Sequence, residues 1–109
     1  MSVKIIEKKL IKIEKRIEKI KAKLILIKEM RPGSLTKQYK NPQKKKGGFY
    51  QLSYTHKMRS RTEYIRPQFV KEIGKQIKSY KEFKKLTEEW IDLGIEYSKT
   101  KIEIEKKIK

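Results

Sequence analysis

The stretch "VKIIEKKLIKIEKRIEKIKAKLILI", residues 3–27, places an apolar side chain at every third or fourth position without a gap: Val3, Ile6, Leu10, Ile13, Ile17, Ile20, Leu24 and Ile27. That 3-4 alternation is a heptad seam, with position a at 3, 10, 17 and 24 and position d at 6, 13, 20 and 27. Such a stripe predicts a helix that needs a partner. A second seam near the other end of the chain runs through Phe83, Leu86, Trp90, Leu93, Tyr97, Thr100 and Ile104, with Thr100 a weak member.

Flanking charges select the orientation of the pair. The g positions of the second helix are Glu82, Glu89, Glu96 and Glu103, whereas those of the first are Lys9, Arg16 and Lys23. Parallel self-pairing of the first helix gives one favourable pair, Lys9 with Glu14, and sets Arg16 against Lys21 and Lys23 against Lys28. Antiparallel pairing of the two helices offers Lys9–Glu103, Arg16–Glu96, Lys23–Glu89 and Glu7–Lys101 instead. In that register Ile6 meets Ile104, Ile13 meets Tyr97, Ile20 meets Trp90 and Ile27 meets Phe83. Each surface ion pair contributes only ~0–1 kcal/mol, so the apolar layers stabilise and the charges choose the register. The expected fold is mainly α with a small β-hairpin. Residues 1–30 and 79–109 form an antiparallel, coiled-coil-like stalk, stopped by Pro32-Gly33 and restarted by the capping box Ser79-Tyr80-Lys81-Glu82. Whether the two helices belong to one chain or are exchanged between two is left open. Ile91, Ile95 and Ile102, with Ile11, Ile25 and Leu26, lie off the seam; apolar stripes of this kind mark partner surfaces, and a homodimer through them is expected.

An antiparallel stalk gathers residues 31–78 at one end as a head. Within it, residues 31–48 read as a loop. Tyr50, Leu52 and Tyr54 alternate with Phe49, Gln51 and Ser53, and Thr62, Tyr64 and Ile65 mark a second strand, giving a β-hairpin over residues 49–65 turned at His56–Arg59. A short helix over residues 67–78, opened by Pro67, brings Val70, Ile73 and Ile77 against it. Gly47-Gly48 reads as a flexible entry to the first strand.

The chain of 109 residues is 40% charged with a formal net charge of +18, and the excess is uneven. Residues 31–66 carry ten Lys/Arg against one Glu. A cation density of this kind points to a polyanion, and the expected ligand is nucleic acid, duplex DNA ahead of RNA. Lys40, Lys44, Lys45 and Lys46 form a flexible basic loop suited to phosphates. Lys57, Arg59, Arg61 and Arg66 lie on the hairpin turn and second strand, with Arg31 and Lys37 nearby. By strand alternation Arg59 and Arg61 share one face, the geometry in which a two-stranded ribbon reads base edges or phosphates in a major groove. Tyr50 and Tyr54 can stack on unpaired bases, but a mini-core of these tyrosines with Leu52 and Tyr64 against the short helix is the favoured reading. The competing functional reading is a coiled-coil adaptor or inhibitor whose basic head grips an acidic protein. A membrane-surface helix is disfavoured because the unbroken heptad stripe is narrower than lipid requires.

Catalysis is not expected. His56 is the only histidine and falls at a turn, Glu63 is the only acid of the head, and no phosphate-cradling glycine loop occurs. No cofactor or metal is expected. The absence of cysteine, of a leader-like segment and of an apolar run near ~20 residues fits a cytoplasmic protein. The bias to Ile, Lys and Glu is also that of proteins from hot environments.

The motifs "MRPGSLTKQY", "GGFYQLSYT", "RSRTEYIRP" and "YKEFKKLTEEW", spread from Met30 to Trp90, together resemble an uncharacterised family of small proteins defined only as a domain of unknown function. Members of that family carry a cluster of cysteines between the first two motifs, which looks like a metal site. This chain has Tyr39-Lys40-Asn41-Pro42-Gln43-Lys44-Lys45-Lys46 there, so no metal role is implied, and the resemblance bears on domain layout alone.

Overall fold

The computed structural model describes residues 2–108. In chain order these form α1 (Val3–Ile25), β1 (Ser34–Asn41), β2 (Lys46–His56), β3 (Arg59–Ile65), a 3₁₀ turn (Pro67–Phe69) and α2 (Val70–Ile108). The chain is mainly helical, with one antiparallel sheet of order β1-β2-β3. It divides into two compact units, one holding α1 and α2 from Phe83 onward, the other holding Lys28–Glu82.

In the helical unit, α1 starts where Ser2 caps it: Ser2 Oγ accepts the Ile5 N–H at 3.3 Å. At the other end the N–H groups of Leu26 and Ile27 donate to the carbonyls of Lys23 and Leu24, both at 3.1 Å, tightening the last turn. The helix therefore ends at Ile25, before Pro32-Gly33, and the expected span of 1–30 is too long. The two helices run antiparallel, since Lys9, Glu14 and Lys21 of α1 meet Glu96, Tyr97 and Trp90 of α2.

Ile13, Ile20, Leu86 and Leu93 form one buried cluster, with Ile17, Leu24, Ile27 and Tyr97 packed around it. Ile6, Thr100 and Ile104 are buried as well. The d positions of both helices thus supply most of the core, joined by Ile104 at an a position, and Thr100 is accommodated because its hydroxyl donates to the Glu96 carbonyl at 2.8 Å. Ile20 shares its cluster with Leu86 and Leu93, whereas Trp90 is 37% exposed and has Lys21 Nζ 5.4 Å from its ring. The wide indole sits at the margin, where a cation covers its face.

The ion pairs also differ from expectation. Lys9 pairs with Glu96 at 3.8 Å, and Lys9–Glu103, Arg16–Glu96, Lys23–Glu89 and Glu7–Lys101 are not among the pairs of the described residues. Exposed charges attract too weakly to dictate the register that the apolar side chains set. Tyr97 O–H donates to Glu14 at 2.9 Å. That carboxylate, through the hydrogen bond and its charge, pushes the Tyr97 phenol above its ordinary value of 10.0. The neutral phenol is the favoured form, so this contact contributes below pH 10.0 and is lost as pH rises through the raised value.

The sheet-bearing unit departs further from the sequence reading. Residues 31–48 are not a loop: Ser34–Asn41 is a full strand paired with β2 from Ser34↔Ser53 to Asn41↔Lys46. The basic loop is a four-residue turn, Pro42–Lys45, in which Asn41 Oδ1 accepts the Lys44 N–H at 3.2 Å. What reads as one hairpin is two hairpins sharing β2. The short helix of 67–78 is not separate from its successor either. Val70, Ile73, Ile77, Tyr80, Phe83 and Leu86 follow one another at helical spacing, so Ser79 lies inside α2 and caps nothing.

Leu52, Ile65 and Ile77 form the buried centre of this unit, with Leu35, Tyr50, Tyr54, Val70 and Ile73 packed on it. The mini-core against the helix is present, but Ile65 takes the place expected for Tyr64, which is 61% exposed. Gly33 makes this packing possible. Its φ is +137°, and a Cβ there would lie 2.6 Å from Leu52 Cδ1 and 2.9 Å from the Ser53 carbonyl. The β2–β3 turn is tight despite lacking glycine: Lys57 and Met58 have φ of +51° and +66°, the sign pattern of a type I′ turn.

Two substitutions should move stability in opposite directions. Met58→Gly relieves a left-handed conformation at a fully solvated site and should stabilise by about 1 kcal/mol. Gly33→Ala should destabilise by about 2–3 kcal/mol or more. Urea unfolding followed by circular dichroism measures both, and a neutral Gly33→Ala would contradict the packing described. For the helical unit, tyrosinate absorbance should show one late-titrating phenol that Tyr97→Phe removes.

Candidate nucleic-acid interface

The sheet has two faces, and strand alternation assigns every residue to one of them. β2 pairs on its other side with β3, from Tyr50↔Ile65 to His56↔Arg59. Leu35, Lys37, Tyr39, Tyr50, Leu52, Tyr54, Glu63 and Ile65 therefore share the face that α2 covers. Thr36, Gln38, Lys40, Phe49, Gln51, Ser53, Thr62 and Tyr64 share the opposite, outer face.

The ten cations singled out by composition do not form one patch. Lys44 and Lys45 belong to the β1–β2 turn and Lys46 opens β2, while Lys57, Arg59 and Arg61 belong to the β2–β3 turn and the strand leaving it. β2 separates these groups by about 33 Å at 3.3 Å per residue. Arg59 and Arg61 do share a face, opposite His56 and Tyr54 respectively, and both are exposed. Arg66 joins β3 to the 3₁₀ turn and is likewise exposed.

Arg31 has a different role from the one expected. Its guanidinium bonds Glu63 Oε2 at 3.0 Å and lies 5.2 Å from the Tyr54 ring centroid. Its own N–H donates to the Gln76 carbonyl at 3.2 Å. Tyr54 O–H completes the arrangement by donating to Glu63 Oε1 at 3.0 Å. Arg31 is a structural cation, and the single acid of the 31–66 segment is fully engaged by it and by Tyr54.

Lys37 and Lys40 lie over the paired glycines, on opposite faces. A Cβ on Gly48 would meet Lys37 Cε at 2.9 Å, and one on Gly47 would meet Lys40 Cβ at 3.0 Å. The glycines are clearances for lysine stems within β2, not a flexible entry. Lys37 Nζ also sits 5.5 Å from the Tyr39 ring and 5.8 Å from the Tyr50 ring.

Sequence reasoning missed the aromatic pair of the outer face. Phe49 and Tyr64 are diagonal cross-strand neighbours whose ring centroids are 6.5 Å apart at an interplanar angle of 40°. With Lys40, Gly47 and Gly48 they line an open depression of about 410 Å³. Tyr50 and Tyr54, the candidates for stacking, are occupied with the core instead. Only the pairing register could have exposed Tyr64, since Tyr64 and Ile65 are adjacent and either can face inward.

No family model, curated protein or solved structure matches this chain. Among the described residues no helix is long and apolar enough to cross a membrane.

Arg31→Met should lower the stability of this unit by about 1–2 kcal/mol, the combined worth of a half-exposed ion pair and a cation–π contact. Arg61→Ala should leave the unfolding midpoint within error. Equal midpoints for the two variants would contradict the separate roles given to Arg31 and Arg61.

Proposed function

We propose that this protein binds nucleic acid without catalysing a reaction, using the two basic turns at the ends of β2. The observation that carries the reading is the charge inventory of residues 31–66. Ten Lys/Arg face one carboxylate, and that carboxylate is held by Arg31. Nine cations are left for a ligand. Lys44, Lys45 and Lys46 act on phosphates, where ammonium groups gain affinity by releasing counterions and read no sequence. Arg59 and Arg61 project from a ribbon end narrow enough for the major groove of duplex DNA.

The helical unit supports a second element of the proposal. Ile91, Ile95 and Ile102 lie on one stripe of α2 and are 61%, 51% and 50% exposed. We propose that two coiled-coil-like helix pairs associate through this stripe as a homodimer. Sedimentation of Ile95→Lys against the parent chain tests it; an unchanged mass would remove the dimer.

Binding to random duplex DNA should weaken steeply with salt. Replacing Lys44, Lys45 and Lys46 by alanine should lower affinity uniformly across sequences and reduce the log–log salt slope by roughly 2–3. Arg59→Ala with Arg61→Ala should cut duplex affinity about tenfold or more with little change in thermal stability. Fluorescence anisotropy at two salt concentrations measures both. Absence of binding even at low salt would reject the nucleic-acid reading in favour of an adaptor for an acidic protein.

A further inference from the structure

We infer that the outer face of the sheet is a binding site for unpaired nucleobases, centred on Phe49 and Tyr64. The inference rests on the nucleic-acid reading and adds to it a ligand form, single-stranded segments, and the surface that takes them.

Geometry, charge and composition converge on this face. Tyr64 presents 61% of its surface to solvent on a strand whose next residue, Ile65, is 8% exposed, so the exposure follows from the pleat. Phe49 stands beside it with the ring centroids 6.5 Å apart and the planes inclined by 40°. The two rings form a stepped platform, not a closed stack, and leave ring faces available to planar ligands. α2 packs on the other face of the sheet, through Val70, Ile73 and Ile77. The depression beside the rings is about 410 Å³ and is bounded by Lys40, Gly47 and Gly48. Gly47, whose side chain would project on this face beside Lys40, keeps its floor open, and Lys40 lines it, one strand-end away from the lysines of the Pro42–Lys45 turn.

The strand residues of this face include no acid: Thr36, Gln38, Lys40, Phe49, Gln51, Ser53, Thr55, Ser60, Thr62 and Tyr64 are neutral or basic. Gln51 lies directly opposite Tyr64 in the register, where an amide can bond a base edge once the base is stacked. Aromatic faces with cations beside them are how sheets hold single strands, because every base has a π-face and every linkage a phosphate. A duplex hides its bases and would gain nothing from Phe49 or Tyr64. An acidic peptide would gain from the lysines but not from two tilted rings.

The test measures affinities of a 12-nucleotide oligo-dT, a 12-nucleotide oligo-U and a 20-base-pair duplex for the full chain and for Tyr64→Ala, Tyr64→Phe and Phe49→Leu. Tyr64→Ala should lose roughly 5- to 100-fold in single-strand affinity, the range for one stacked base. It should leave duplex affinity unchanged, and Tyr64→Phe should restore the loss. Circular dichroism unfolding confirms that the variants fold. Equal losses for single strands and duplex, or unchanged single-strand binding in Tyr64→Ala with the phenylalanine variant also neutral, would overturn the stacking site while leaving a phosphate-binding protein. Failure of the parent chain to bind any of the three at low salt would overturn the nucleic-acid reading itself. A loss confined to oligo-U or to oligo-dT supports the site and assigns it to RNA or DNA.

Discussion

The sheet-bearing unit depends on the register of β2. As the central strand it is bonded on both sides, and its pleat sends Tyr50, Leu52 and Tyr54 toward α2 while Phe49, Gln51 and Ser53 face away. Leu52, fully buried, fixes this alternation, and Gly33 allows the chain to pass close beside it. A slip of one residue would send the tyrosines to water and Phe49 into the core. Every functional assignment in the unit, from the embedded tyrosines to the exposed ring pair, inherits that single choice of phase.

The helices were legible because their apolar residues repeat every three or four positions with no interruption. The antiparallel orientation follows in the sequence from the flanking charges, although none of the four expected ion pairs is among those of the described residues. A mobile lysine such as Lys9 reaches whichever glutamate the apolar packing brings near. Ser79 misled because a capping box is a local signal, and it was outvoted by the stripe from Val70 to Leu86 that crosses it without a gap. β1 was illegible from its own residues. Leu35 and Tyr39 are its only apolar members, Lys37 stands between them, and its strand character comes from the main-chain ladder that β2 offers.

The candidate site is a matter of composition in the sequence and of geometry only in the fold. Composition correctly flagged residues 31–66 as a dense set of cations and could not know that a strand separates them. Nor could it know that Arg31 is bound to Glu63. Several residues of the motifs quoted from the sequence fall where the architecture is most demanding: Gly33 and Leu35 beside the core, Leu52 at its centre, Ile65 and Pro67 where β3 gives way to α2.

The clamp on Glu63 has a kinetic meaning. With its one carboxylate held by Arg31 and Tyr54, segment 31–66 keeps nine further cations against no other acid. Under the proposed function, a polyanion diffusing nearby meets cations at either hairpin end. On that reading, encounter would be set by long-range steering and by the screening ions of the medium, ahead of any fit between surfaces.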